Sequence, residues 1–370
     1  MNIYEQQAEN KRNTAMLIGV FILLFLAIGI GFDFFMLGWK TPQTALSQVY
    51  DPAAAAYRVK PVKQVFYPWG TIAFLIIGCG MAFYGYGNGK KMVLRAANAH
   101  LATGLDPKEE VYLNVVSEIA IAAGLPRPAA YIIPDPDPNA FATGTDPEDA
   151  AIAVTQGLLN VMTREELAGV VAHEMSHIRN YDIRLMTVVT ALAGSVNLVS
   201  DSVKGIFSPA RSSYGYGSYN RRYRNGNMAS SLVASSLKNT LGSSRGGSKK
   251  GGGGILIIVL FVLWIVLIIF APVLTSMLKM AISRQREYLA DASAAELTRN
   301  PKGLIAALEK IYAATGPTTS LGESIAHLCI MDPRGSSIEE RSGHVSDLMA
   351  THPPMQKRIL KLKAMAYVIK

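Results

Sequence analysis

Three long apolar runs dominate the hydrophobic pattern and predict membrane helices. Residues 15–32 form an uncharged run, and residues 64–89 form a second uncharged stretch with aromatic side chains towards its ends. Residues 255–274 form the third and most continuous run. About 20 apolar residues cross a hydrocarbon core as a helix, and aromatic residues favour the membrane–water interface. Bulky residues after position 32 favour an uncleaved helix over a signal peptide, so the first ninety residues are predicted to form a transmembrane hairpin.

From about residue 96 to 183 the pattern is typical of a water-soluble α+β domain. Residues 107–123 carry apolar side chains at helical spacing, residues 129–144 predict two short strands around a Pro-rich turn, and residues 151–159 predict a third strand. Thr163 and Glu166 have the spacing of a capping box, which predicts a helix that begins there. The last hundred residues are predicted to be mostly helical.

Composition and charge agree with a chain that lies partly in lipid. Half of the residues are apolar, 17% are charged and the net charge is +9, which fits a basic surface against anionic lipid headgroups. No basic helix or aromatic–basic sheet motif accompanies this charge, so nucleic-acid binding is not expected. Cys79 and Cys329 lie in unrelated contexts and predict neither a disulfide nor thiol chemistry. Residues 208–253 contain eight Lys or Arg and no Asp or Glu, a composition typical of a low-complexity loop.

The sequence HEMSH at residues 173–177 is the first pattern that indicates chemistry. Positions four apart share one face of a helix, so His173 and His177 could both direct ring nitrogens at one metal ion. Glu174 lies beside that face and could act as a general base on a metal-bound water. Short motifs also recur by chance, and this one alone favours a metalloprotease and a pair of ordinary histidines about equally.

A catalytic zinc site generally takes a third protein ligand from a second element. The segment REYLAD at residues 286–291 offers Glu287 as that ligand. Asp291, one helical turn later, could accept a hydrogen bond from a zinc-bound histidine. The alternative is a solvated, charged helix face, and the segment taken alone favours this alternative.

Three blocks of the chain carry a family resemblance. HEMSHIRNYD (173–182), REYLAD (286–291) and THPPMQKRI (351–359) resemble, in sequence and in order, the motifs of HtpX-type membrane zinc proteases. That family also includes the CAAX prenyl proteases. NAFATG (139–144) and the apolar runs agree with the family as well, so the resemblance covers nearly the whole chain.

The resemblance implies one zinc ion per chain. Its ligands would be His173, His177 and Glu287, while Glu174 would be the general base. Asp291 would hold a ligand in place through a hydrogen bond.

The resemblance also implies roles for residues outside the ligand set. His352 and Arg358 would stabilise the oxyanion or order the site, although position alone favours a simple loop histidine before a Pro-Pro turn for His352. Asn180 and Asp182 belong to the first block and are expected to support the site structurally. An edge strand of five residues would receive the substrate backbone by strand addition: Asn139, Ala140, Phe141, Ala142 and Thr143.

The two metal-binding segments must lie on one side of the membrane, yet the run at 255–274 lies between them. A partner crossing is therefore required, and residues 184–206 are the only candidate, with polar side chains facing a helix bundle. We expect a mainly α membrane protein with four transmembrane helices and a zincin-like α+β metalloprotease domain, which the hairpin of helices 3 and 4 splits. The expected parts are an N-terminal transmembrane hairpin (1–95), the first half of the protease domain (96–183), helices 3 and 4 with the loop 208–253 (184–274), and the second half of the protease domain (275–370).

The basic residues around the first two spans predict an orientation. Placing Lys11, Arg12, Lys90, Lys91 and Arg95 inside gives a multi-pass protein of the plasma (inner) membrane of a prokaryote, with the protease domain facing the cytoplasm. The basic loop would then lie outside. Three possibilities remain: the loop translocates despite its charge, helices 3 and 4 are re-entrant, or the orientation is reversed. We favour the first.

The expected function is zinc-dependent hydrolysis of peptide bonds in membrane or membrane-associated proteins, and the resemblance suggests misfolded proteins as substrates. One alternative is a CAAX-type prenyl-protein protease. Another is a catalytically inactive membrane scaffold, which the complete ligand set argues against. An intramembrane protease is disfavoured because charged residues flank the HEMSH motif. The expected partners are protein substrates and the lipid bilayer, and the sequence leaves the oligomeric state and the natural substrates open.

Overall fold

The structure is a computed structural model of the chain and describes part of its length. The described residues are 3–35, 44–51, 56–63, 67–193, 259–267, 284–314, 321, 325–331 and 353–368. His352 and the loop 208–253 lie outside them, and so do the larger parts of the predicted membrane helices 184–206 and 255–274.

Contacts divide the chain into two compact units, which we describe separately. Unit 1 comprises Met1–Gly19, Met81–Asn197 and Pro272–Lys370. Unit 2 comprises Val20–Gly80 and Leu198–Ala271. The four parts expected from the sequence remain a prediction.

Two long helices agree with the predicted N-terminal hairpin. The helices α1 (Ile3–Phe35) and α2 (Trp69–Ala96) are long enough and apolar enough to cross a membrane. Between them, β1 (Thr44–Asp51) and β2 (Ala56–Lys63) pair as an antiparallel ladder. The hydrophobic pattern did not predict this ladder.

In unit 2, the buried carboxylate of Asp33 caps the N-terminal end of α2. It accepts hydrogen bonds of 2.7 Å from the backbone N–H groups of Gly70 and Thr71, and one of 2.6 Å from the hydroxyl of Thr71. These N–H groups belong to the start of a helix and have no partner within it, so an acidic side chain there satisfies them. The contact ties the end of α1 to the beginning of α2.

Unit 1 contains a four-stranded sheet in the order β3-β4-β6-β5. Its strands are β3 (His100–Leu101), β4 (Ala129–Ile133), β5 (Ala140–Thr143) and β6 (Ala151–Thr155). The strands β4 and β6 run parallel, whereas the other two pairs are antiparallel. Every residue of β5 and β6 is buried, which explains their continuous apolar sequences. The predicted strands of 129–144 are confirmed.

The predicted third strand, 151–159, is only half correct. It ends at Thr155, whose hydroxyl accepts a hydrogen bond from Leu158 N–H at 3.2 Å and caps a short helix. The apolar residues that follow Thr155 belong to this helix, because a strand and a short buried helix look alike in an apolar run.

The remaining helices follow in chain order and include the predicted helix 107–123 with the predicted bounds. They are α3 (Pro107–Ala123), α4 (Gln156–Val161), α5 (Arg164–Arg179), α6 (182–193), α7 (259–267), α8 (Arg284–Thr298), α9 (Pro301–Ala313) and α10 (Met355–Val368).

The helix α5 lies at the centre of unit 1 and packs against α3, α8 and α9. Its predicted capping box is confirmed. Glu166 Oε2 accepts from Thr163 N–H at 2.7 Å, and the Thr163 hydroxyl accepts from Glu166 N–H at 3.4 Å. Lys310 of α9 adds an ion pair of 2.7 Å to the same Glu166 oxygen. Gly169 allows α9 to approach closely, because a Cβ there would lie 2.8 Å from the backbone N and Cα of Leu304.

We expect Gly169→Ala to lower the free energy of unfolding by about 1–3 kcal/mol, since the added methyl group must push α5 and α9 apart. Thermal unfolding in detergent measures the effect. Gly87→Ala is the control, because a Cβ at this glycine of α2 meets nothing within 4 Å. Equal melting temperatures for the two variants would contradict the proposed close packing.

We expect Glu166→Ala to cost about 1 kcal/mol, through the lost cap and the lost ion pair with Lys310. Burial acts to raise the pKa of Glu166, but hydrogen bonds from Lys310 and Thr163 outweigh it and lower the pKa. A lowered folded-state pKa gives stability that is present above the ordinary carboxyl pKa and lost as the pH falls through the lowered value. The difference from wild type should therefore shrink on acidification. Glu165→Ala, at an exposed position of the same turn, is the control and should leave the free energy of unfolding within about 0.5 kcal/mol of wild type.

Candidate metal centre

Two helices of unit 1 bring three metal-binding side chains together. His173 and His177 lie one turn apart on α5, and Glu287 lies in the first turn of α8. All three side chains are buried, and their ligand atoms lie within 4.8 Å of one another. The two Nε2 atoms are 3.3 Å apart, and each lies 3.6 Å from a carboxylate oxygen of Glu287.

Two further carboxylates fix the orientation of the imidazole rings. Asp291 Oδ1 lies 3.0 Å from Nδ1 of His173, and Asp182 Oδ2 lies 3.0 Å from Nδ1 of His177. An ionised carboxylate can only accept hydrogen bonds, so each Nδ1 carries a proton and donates it. In the neutral rings, each Nε2 is then left with a lone pair on the side of the Glu287 carboxylate.

This arrangement fits a zinc ion. Tetrahedral ligands about 2.0–2.2 Å from zinc lie about 3.3–3.6 Å from one another, and the nitrogen and oxygen atoms here have these separations. Two lone pairs and a carboxylate repel one another at such distances in a buried site, whereas a cation between them attracts all three. Two imidazoles and one carboxylate are also a ligand set of catalytic zinc sites, which keep a fourth position for water.

The electrostatics of the centre also favour a positive charge. Burial lowers the pKa of His173, but hydrogen bonds with Asp291 and Glu287 outweigh this effect and raise the pKa to about 9. Burial likewise opposes the charged form of His177, and the contacts with Asp182 and Glu287 raise its pKa. The surroundings of both rings therefore stabilise a cation, as a metal site requires.

Glu174 directly follows the first histidine on α5 and is 1% exposed. Burial raises the pKa of its carboxyl, although the charges of His173 and His177 act in the opposite direction. A carboxyl with a raised pKa can accept a proton and return it near neutral pH. Glu174 is therefore suited in position and environment to general-base chemistry.

Arg358 of α10 is fully buried and holds Asp291. Its Nε and Nη2 donate to the two carboxylate oxygens of Asp291 at 2.9 and 2.7 Å. Its Nη1 donates to the carbonyl of Ile330 at 3.0 Å and lies 3.3 Å from Glu287 Oε2. The guanidinium already contacts Asp291, Ile330 and Glu287. The geometry therefore favours a role for Arg358 in holding these groups in place over direct contact with a substrate oxyanion.

A tight turn after α5 carries Asp182 back towards the metal centre. Asn180 ends the helix, and Tyr181 has a φ of 58°, in the left-handed region that residues other than glycine rarely occupy. Asp182 then begins α6 with a fully buried side chain. The ammonium group of Lys11 lies 4.2 Å from the centre of the Tyr181 ring, so α1 contacts this turn.

The strand β5 carries the residues implied to receive the substrate, and its outer edge is partly covered. Ala140 O accepts a hydrogen bond of 2.9 Å from Ile330 N–H, and Phe141 forms an isolated bridge with Cys329. Residues two apart in a strand direct their backbone groups to the same edge. Ala142 therefore presents its N–H and C=O on the edge where Ile330 pairs.

The side chains at the two ends of this segment are tied into the fold. Asn139 donates to the carbonyl of Met331 at 3.1 Å, and the Thr143 hydroxyl lies 3.0 Å from that of Thr187. Both side chains are buried. A substrate-binding role for this segment would therefore rest on its backbone groups.

The structure thus gathers most of the residues singled out from the sequence. His173, His177, Glu287, Glu174, Asp182, Asp291 and Arg358 surround one point, and Asn180 lies in the adjoining turn. His352 lies outside the described residues, and its role stays a prediction. Asn10, Ile330 and the backbone of Tyr181 were missed. The polar residues Gln6, Asn10 and Thr14, four apart on the first helix, were a signal for a buried polar face.

Comparisons with known proteins found a family model, relatives over nearly the full length and a solved structure that are similar to this chain. A model of peptidase family M48 matches residues 107–366. Proteins named "Protease HtpX homolog" are similar over the whole length: that of Caldanaerobacter subterraneus subsp. tengcongensis is 37% identical and that of Thermoanaerobacter pseudethanolicus is 36% identical, each with 98% of both chains covered. A crystal structure of S. mikatae Ste24p aligns at 19% identity with a TM-score of 0.42, covering 97% of this chain and 66% of that one.

The family match and the full-length relatives support a membrane metalloprotease, and the buried His-His-Glu cluster and the two helices able to cross a membrane agree with this class. The chain belongs to peptidase family M48. The resemblance to HtpX-type proteases is confirmed by the full-length relatives.

We expect Asp291→Asn to weaken zinc binding about 10–100-fold, because an amide in place of the carboxylate no longer fixes the Nδ1 proton of His173. Competition with a chromophoric chelator measures the affinity. Glu296→Gln removes an exposed carboxylate from the same helix and should bind zinc as the wild type does. Unchanged affinity in Asp291→Asn would show that Asp291 has no part in orienting the ligand.

Proposed function

We propose that the chain is a zinc-dependent endopeptidase of the membrane that hydrolyses membrane or membrane-associated proteins. The observation that carries this proposal is the convergence of two Nε2 lone pairs and the Glu287 carboxylate in one buried centre. Peptide hydrolysis needs an activated water and stabilisation of a developing oxyanion. A zinc ion with three protein ligands supplies both, since it lowers the pKa of a coordinated water towards about 7 and polarises a carbonyl oxygen.

The side chains would divide the remaining work. His173 and His177 would hold the zinc ion through Nε2, while Asp291 and Asp182 hold the Nδ1–H groups. Glu174 accepts the proton of the attacking water on its carboxylate and then delivers it to the nitrogen of the leaving amine. One residue thus serves as base and acid in turn.

The edge of β5 supports an extended substrate. Strand addition requires backbone N–H and C=O groups on a strand edge, and Ala142 directs its groups to the edge of β5 that Cys329 and Ile330 partly cover. A folded protein buries its segments in its own sheets and helices, whereas a misfolded one exposes extended backbone. We therefore propose misfolded membrane proteins as the substrate class, bound through the backbone and not through a sequence motif.

The distribution of positive charge supports a site on the cytoplasmic side. Lys11 and Arg12 precede the apolar run of α1, and Lys90, Lys91 and Arg95 lie near the end of α2. Both clusters belong to unit 1, which also contains the metal centre. Positive residues near membrane helices are retained on the cytoplasmic side, so we propose that unit 1 faces the cytoplasm.

We expect Glu174→Gln to retain zinc and to lose at least about a hundredfold in cleavage rate, because the amide cannot accept the proton. Glu287→Ala should lose both zinc and activity, because two imidazoles alone bind the ion weakly. Zinc content is measured on the purified protein, and cleavage of casein is measured in detergent, with and without a chelator.

Glu165→Gln is the matched control, since it removes a carboxylate from an exposed position of the same helix. It should keep both zinc and activity. Cleavage that survives in Glu174→Gln, or zinc that remains bound at full stoichiometry in Glu287→Ala, would refute the proposed centre.

A further inference from the structure

The first turns of α1 present a polar face to the turn between α5 and α6. Gln7 Nε2 donates to the carbonyl of Arg179 at 2.8 Å. Three residues later, Asn10 Nδ2 donates to the carbonyl of Asn180 at 2.8 Å. Positions 7, 10 and 11 share one helix face, and the ammonium group of Lys11 covers the ring at position 181. The beginning of α1 therefore contacts the turn that follows the metal-binding helix through hydrogen bonds and a cation–ring contact.

Asn10 also reaches the carboxylate that orients a metal ligand. Its Nδ2 lies 2.7 Å from Asp182 Oδ1, while the other oxygen, Oδ2, faces His177 Nδ1 at 3.0 Å. The exposed fraction is 1% for Asn10 and 0% for Asp182. The two N–H groups of one amide thus bridge the backbone of the turn and the carboxylate.

Asp182 depends on this amide for its position. A buried carboxylate needs hydrogen bonds or charges on both oxygens. Apart from Asn10, the contact at Oδ1 within the described residues is Arg286 Nε at 3.6 Å, beyond hydrogen-bond distance. Without the amide, the carboxylate would turn towards Arg286, and its hold on the Nδ1 proton of His177 would loosen.

We propose that Asn10 is a positioning residue of the metal centre, acting on His177 through Asp182. This inference rests on the proposed zinc site. It makes the beginning of the first membrane helix part of the metal centre, although Asn10 is separated from the HEMSH motif by more than 160 positions in the sequence. Gln7 anchors the same turn without touching Asp182, so the positioning role and a purely structural anchor can be told apart.

The test compares Asn10→Leu with Gln7→Leu in the full-length protein purified in detergent. Zinc affinity is measured by chelator competition, and the visible spectrum of the Co²⁺-substituted protein reports the ligand geometry. We expect Asn10→Leu to weaken zinc binding about tenfold and to shift the cobalt bands. Gln7→Leu should stay within about twofold of wild type with an unchanged spectrum. Thermal unfolding of the metal-free proteins shows whether both variants lose similar stability.

A double-mutant cycle tests the path through Asp182. If Asn10 acts through this carboxylate, Asn10→Leu should have no further effect on zinc affinity in the Asp182→Asn background. An effect of the same size in both backgrounds would overturn the inference. Zinc affinity and cobalt spectra of Asn10→Leu identical to wild type would also overturn it.

A second variant covers the case in which Asn10→Leu does not fold. Asn10→Asp keeps the shape and places an acceptor against Asp182 Oδ1, so it should weaken zinc binding at least as much. Wild-type affinity in Asn10→Asp would overturn the inference. Failure of the wild-type protein to bind zinc would instead refute the proposed function.

Discussion

The metal centre depends on two buried histidine nitrogens whose lone pairs face each other at short distance. The Nε2 atoms of His173 and His177 lie 3.3 Å apart, and both rings keep their protons on the far nitrogen only because a carboxylate accepts there. If either ring took the other tautomer, an N–H would occupy the position of the ion. The tautomers therefore decide whether the cluster is a ligand set or a hydrogen-bonded histidine pair.

Each carboxylate that orients a histidine needs a hydrogen-bond donor from another part of the chain, because a buried negative charge must itself be stabilised. Asp291 accepts two hydrogen bonds from the guanidinium of Arg358, and Asp182 accepts one from the side-chain amide of Asn10. The centre thus recruits α10 near the end of the chain and α1 near its beginning. This chain of requirements explains why residues from four separate stretches of sequence meet at one point.

The sequence predicted the parts that follow from short-range rules. Helical spacing placed His173 and His177 on one face, and the capping-box spacing of Thr163 and Glu166 predicted the start of α5. The role of Glu287 as a metal ligand was predicted only from the resemblance to a family, because one acidic residue on a charged helix does not indicate which residues lie near it in space. The contact between Asn10 and Asp182 and the left-handed turn at Tyr181 depend on tertiary packing, which no local pattern encodes.

Ile330 and Cys329 pair along the edge of β5 that is proposed to bind a substrate, and they cover part of it. The few main-chain hydrogen bonds that a substrate could form at this edge would give only modest affinity. If the substrates are membrane proteins, as proposed, their confinement with the enzyme to one bilayer would compensate for this, since a shared two-dimensional surface raises the effective concentration as a tether does. Weak binding at this edge would then favour the proposed membrane substrates, because soluble chains would dissociate before they are cut.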